Sequence, residues 1–165
     1  MLKAIHHRLN KDDRGFTLIE LMVVVLIIAI LIAIAIPTFL GLRKRAQDRA
    51  AQSDLRNGFT AAKAFYTDND SYGDGAAALP DFDVAAGEAT EPSLVWQAAG
   101  TTPAAVNQVS IKVASGSELV LVAYSQSNTY FCLGETGVVG SAGTLKGKAT
   151  TEGAVDAVAD CTQGW

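Results

Sequence analysis

The chain has 165 residues, 49% of them hydrophobic, with 13 basic against 17 acidic side chains. That length suits one modest domain plus an N-terminal extension. From Thr67 onward three bases face twelve acids, which argues against a C-terminal region that grips nucleic acid through phosphates.

Residues 1–15 form a short charged leader with Lys3, Arg8, Lys11 and Arg14 against Asp12 and Asp13. Between Phe16 and Leu42 the only polar side chains are Thr17, Glu20 and Thr38. A helix of that length and composition can cross a bilayer core of ~30 Å, for which about 20 residues suffice. A buried core helix is the competing explanation, but so short a chain lacks a second layer to cover such a helix all round. Glu20 then stands out. A carboxylate near mid-membrane costs roughly 2.5–3.5 kcal/mol on insertion scales, so it needs a partner. Bases flank the span on both sides, so their asymmetry does not fix its orientation. Three fates are open for this segment: an uncleaved signal anchor, a secretory signal cut near Ala33-Ile34-Ala35, or cleavage after Gly15. The secretory reading fits least well, because the apolar run exceeds a normal signal core and continues past Ala35.

Helical periodicity carries on after the span. Phe39, Leu42, Ala46, Ala50, Leu55, Phe59, Ala62 and Tyr66 recur mostly at three- or four-residue steps, with charges largely between them. The expectation is one helix with an apolar half, 16–42, and an amphipathic half, 43–66. Pro37 should kink it by removing a backbone donor and striking the carbonyl four residues back. Gly41 and Gly58 should weaken it. The basic cluster Arg43, Lys44, Arg45 and Arg49 suits lipid headgroups or acidic faces of other copies.

Residues 67–92 are rich in Gly, Ala, Asp and Pro and read as a loop with at most a short helix. Strand-like runs follow at 93–97, 108–114, 118–124 and 129–133, with a weaker one near 144–150. Turns are expected around Ser115-Gly116-Ser117 and Gln126-Ser127-Asn128. Val109, Ile111 and Val113 alternate with Ser110 and Lys112, as in a sheet with one solvated face. A small antiparallel meander packed on the amphipathic half-helix gives an α+β head over 67–165. Cys132 and Cys161 lack a neighbouring His or further Cys, making a poor zinc site and a candidate disulfide in an oxidising compartment. Two unpaired thiols in a reducing compartment are the other possibility. A bridge would contribute ~3–4 kcal/mol in the chain-entropy model.

No catalytic constellation is legible, so no enzyme, metal or cofactor is expected. The only histidines, His6 and His7, lie in the leader, which leaves no Ser–His or Cys–His pairing for the head. Asp68-Asn69-Asp70-Ser71-Tyr72-Gly73 begins like a calcium loop. It has Tyr72 at the fifth place and Leu79 where a bidentate Glu is required. Asn69-Asp70-Ser71 is a glycosylation triplet of low specificity. Asp81 and Asp83 read as loop acids.

The stretch Arg14-Gly15-Phe16-Thr17-Leu18-Ile19-Glu20, the charged leader, the apolar run and Pro37 together resemble the processing site of type IV prepilins and related pseudopilins. The segment AFYTDNDSYG (64–73) is similar to the one that closes that family's long helix, and the resemblance covers roughly residues 11–73. It implies an α+β type IV pilin fold, with a long N-terminal helix on a small antiparallel sheet and a disulfide-bounded C-terminal region. It implies cleavage after Gly15 by a prepilin peptidase and N-methylation at Phe16. The new amine of a neighbouring subunit would then pair with Glu20, and Pro37 would bend the helix away from the filament core. The implied partners are other copies in a helical filament, an assembly platform with its ATPase, and the cytoplasmic membrane before assembly. The implied function is a structural subunit of an extracellular pilus, for adhesion, motility or DNA uptake, with nucleic-acid contact open. Alternatives are a pseudopilin of a type II secretion or competence system and a membrane-anchored binding module.

Overall fold

The computed structural model describes residues 15–73, 81–98, 100–137, 143–162 and 164–165. The leader through Arg14, with His6 and His7, lies outside the described residues, as does Leu79. The chain forms two units, Met1–Gly41 and Leu42–Trp165.

One helix, α1 (Leu18–Asn69), belongs to both units. In the first unit it continues through Pro37 without interruption. Pro37 leaves the Ala33 carbonyl without its usual donor, and the Thr38 hydroxyl donates to the next carbonyl, that of Ile34, at 3.1 Å. Every described residue from Gly15 to Ala46 is exposed.

In the second unit, α1 buries Ala51, Leu55, Gly58, Ala61 and Ala62. Phe59, Phe65 and Tyr66 pack partly against the same core. The expected stripe is thus correct from Leu55 onward, whereas Phe39, Leu42, Ala46 and Ala50 are exposed. Ala51, not Ala50, starts the buried face. The helix runs three residues beyond Tyr66 and stops at Asp70, whose φ of +55° is left-handed and whose N–H donates to the Tyr66 carbonyl at 2.8 Å.

The sheet has five strands in the order β1 (Val95–Gln97), β2 (Gln108–Ser115), β3 (Glu118–Ser125), β4 (Thr129–Thr136) and β5 (Gly143–Ala149). β2 to β5 form the expected antiparallel meander, but β1 runs parallel to β2. Parallel pairing needs a longer connection than a hairpin, and 98–107 supplies it. Gly116, at φ +55°, makes the β2–β3 turn, and Asn128, at +67°, the β3–β4 turn. Among the described residues of the 67–92 segment the one short helix is α2 (Val84–Thr90), capped by the Asp83 carboxylate on the Ala86 N–H at 2.9 Å.

One sheet face meets α1 through Val109, Ile111, Leu119, Leu121, Phe131 and Leu133. Trp96 fills the gap between α1 and α2. A Cβ built on Gly58 would stand 3.1 Å from its ring, and one on Gly87 2.5 Å. The other face is not solvated as the alternation suggested. Val120, Val122 and Cys132 are covered there by Val155 and Cys161 of the C-terminal segment. The alternation is also broken within β2, which is bulged between Ile111 and Val113. A bulge inserts one unpaired residue and shifts the facing of those after it, so Val113 joins the outer cluster and Ala114 the inner. Ser110 is fully buried, its hydroxyl donating to the Thr101 carbonyl at 2.8 Å. Lys112 at the bulge ion-pairs with Glu152.

Candidate assembly site

The N-terminal constellation is built by local helix chemistry. Thr17 precedes α1 and Glu20 is its third residue. The Glu20 carboxylate accepts the Thr17 N–H at 2.9 Å and the Thr17 hydroxyl at 2.6 Å, and the Glu20 N–H donates to Thr17 Oγ1 at 3.3 Å. This reciprocal arrangement is a capping box, which satisfies otherwise orphaned donors at a helix start. It gives Glu20 a partner within its own chain that the reading above overlooked, although Thr-x-x-Glu before an apolar run was the signal for it. Gly15, Phe16 and Glu20 are all exposed, Phe16 at 83%. A Cβ on Gly15 would meet nothing within 4 Å. Among the described residues, nothing therefore shields the Gly15–Phe16 bond or the Glu20 side chain. Pro37 lies more than four helical turns further along and takes no part in this cluster.

The head is fastened at several points. Cys132 on β4 and Cys161 form a disulfide with Cα atoms 5.8 Å apart. Gly147 on β5 makes room for it: a Cβ there would stand 2.7 Å from the Asp160 carbonyl oxygen, 2.8 Å from Cys161 Cα and 3.0 Å from Cys132 Sγ. Trp165 donates from its indole to the Cys132 carbonyl at 3.0 Å and stacks edge-on to Phe131. At the end of α1, Glu135 pairs with Lys63 and accepts the Tyr72 hydroxyl at 2.6 Å. Burial, and then the bond to Glu135, push the Tyr72 hydroxyl far above the ordinary phenol value. Tyr72 is thus a core residue and not a cation ligand. The Asn69 amide donates to the Phe65 carbonyl at 2.9 Å, and the Ser71 hydroxyl is held between the Gly73 and Gly116 carbonyls. Among the described residues, no three His, Cys, Asp or Glu side chains gather as a metal site.

A helix with an exposed apolar half and a sheet-covered half, begun by a capping box, gives the chain a pilin-like α+β fold. Comparison with known proteins agrees. Residues 10–36 match the family model described as the prokaryotic N-terminal methylation motif. Over 67 residues the chain is 49% identical to the type IV major pilin protein PilA of Myxococcus xanthus, covering 41% of this chain and 30% of that protein. It is 44% identical over 69 residues to the type IV wide pilus major component PilA4 of Thermus thermophilus, covering 42% of this chain and 53% of that one. It is 35% identical over 65 residues to the type II secretion system core protein G of Escherichia coli, covering 39% and 45%. These matches span between about a third and a half of the relatives' lengths. No solved structure matches. The N-terminal part of the chain thus carries the methylation motif and is similar to type IV pilins and to a secretion-system core protein.

Proposed function

We propose that this chain is a structural, non-catalytic subunit of an extracellular type IV pilus. It is made as a membrane-anchored precursor with 16–42 in the cytoplasmic membrane, 43–66 as the head's helix and 67–165 completing the head. A prepilin peptidase removes residues 1–15 by cutting after Gly15 and methylates the Phe16 amine. Copies then associate through their apolar half-helices on an assembly platform driven by its ATPase, and reach the cell surface. Glu20 and Pro37 are the assembly residues. A carboxylate in an apolar bundle is tolerated only where it is paired, so Glu20 rewards one stagger of neighbouring helices and penalises the rest. The observation that carries this reading is the fully exposed apolar run of α1, whose one charged residue is Glu20. A run of that kind needs a cover, first lipid and then other copies.

The similarity to a secretion-system core protein keeps a second reading in play, a pseudopilin of a short periplasmic filament. Intact mass and N-terminal analysis separate the two. Methylated Phe16 in protein sheared from the cell surface supports the pilus. The same species confined to membranes supports the pseudopilin. A chain that starts at Met1 in both fractions refutes processing and, with it, both filament readings.

A further inference from the structure

Six bases follow the apolar run on α1, and the head absorbs only two of them. The Arg56 guanidinium lies 5.3 Å from the centroid of the Trp165 ring. Lys63 pairs with Glu135 and stands over Phe59 and Tyr66. Arg43, Lys44, Arg45 and Arg49 are exposed, and none pairs with an acid among the described residues. The acids nearest to them along the helix are occupied elsewhere. Asp48, one turn from Lys44 and Arg45, accepts the hydroxyls of Ser125 and Ser127, and Asp54 accepts the Asn107 N–H at 3.3 Å.

We propose that Arg43, Lys44, Arg45 and Arg49 form a collar that binds the anionic phosphate headgroups of the leaflet at the C-terminal end of the membrane span. This rests on the membrane-anchored precursor and not on the filament. Arg43 follows directly on the exposed apolar residues Phe39, Leu40 and Leu42, so the bases begin where hydrocarbon must give way to headgroups. Successive helix positions are about 100° apart, so residues 43–45 place a cation on three sides of one turn, and Arg49 adds a fourth one turn on. Guanidinium groups take phosphate oxygens in pairs, and long basic side chains reach along a helix to the interfacial layer. Charge alone would equally suit an acidic face of a second copy. The direct abutment on Leu42 favours lipid.

The test reconstitutes the full-length chain in phosphatidylcholine vesicles carrying spin-labelled phosphatidylglycerol or spin-labelled phosphatidylcholine, and compares the association of the two labels. The expected result is a preference for phosphatidylglycerol that high salt weakens. The R43Q/K44Q/R45Q/R49Q variant should lower that preference on the order of tenfold, with the near-UV circular dichroism of the head unchanged. A K3Q/R8Q/K11Q/R14Q variant, which neutralises the bases before the span, should keep most of it. A collar variant with wild-type preference overturns the proposal. So does a collar variant that loses filaments but keeps its lipid preference, which would assign the bases to a second copy. Alkaline carbonate extraction reads insertion separately. A chain released by carbonate removes the membrane reading and the collar together, whereas an inserted chain without preference removes the collar alone.

Discussion

Replacing Gly147 with alanine tests how the C-terminal segment is held to the sheet. The new methyl would stand 2.7 Å from a backbone oxygen, 2.8 Å from Cys161 Cα and 3.0 Å from Cys132 Sγ. Such separations are too short for real contacts, and none of the three is the free end of a flexible side chain. The disulfide prevents Cys161 from backing away. Overpacking of this kind costs about 1–3 kcal/mol, equivalent to a fall in Tm of roughly 2–4 °C per kcal/mol at this chain length. The bridge itself closes a loop of sequence separation 29, for which the chain-entropy relation gives about 3.6 kcal/mol. The two effects should not add. In a C132S/C161S background the segment is free to move, so Gly147→Ala should lose most of its cost, leaving a coupling on the order of 1 kcal/mol in the double-mutant cycle. Gly153, with nothing within 4 Å of its built Cβ, is the control and should tolerate alanine. The assay is urea unfolding of the full-length chain in detergent, followed by tryptophan fluorescence. An equal cost with and without the bridge would refute the argument.

Three further outcomes are expected. Tyr72→Phe should destabilise the head by about 1.5–3 kcal/mol, the usual value of a hydrogen bond to a charged group, read by the same unfolding assay. Burial pushes Glu152 up, but hydrogen bonds from Lys112 and Thr102 outweigh it and hold the carboxylate below its ordinary value of 4.5. Its stabilising contribution is therefore full above that value and lost as pH falls through the lower folded one, so Lys112→Met should flatten the acid limb of the stability profile. On the filament proposal, Glu20→Gln should abolish surface pili while Thr17→Val, which breaks the capping box but leaves the charge, should retain them; equal loss in sheared-pilus yield would make Glu20 merely a cap.

What was legible in the sequence followed from long-range pattern. The apolar run, the helix that continues from it and the β2–β5 meander all have periods that survive inspection of one chain. The order of the first strand did not, because β1 has three residues and its parallel partner is reached across a segment without periodicity. The outer sheet face was misjudged for a different reason. Its cover is the C-terminal segment around Val155 and Cys161, which has no periodicity to announce it, and the inserted residue at Lys112 reverses the facing of Val113 and Ala114 as well. The buried stripe on α1 was placed correctly only where the sheet lies against it, since spacing identifies a face but not the point at which cover begins.

Glu20 illustrates how one side chain satisfies two demands at different times. Before any neighbour arrives, the capping box supplies its carboxylate with two donors from Thr17, so the group is not left wholly unsatisfied near the start of an apolar helix. A neighbour's amine, on the filament proposal, then offers a full charge where Thr17 offers only dipoles. The gain on assembly is the difference between the two, smaller than the gross attraction of an ion pair. It follows that Glu20 contributes less to the strength of a filament than to its register. A misaligned neighbour gains nothing from it and still must desolvate the carboxylate, and the correct stagger alone recovers that cost.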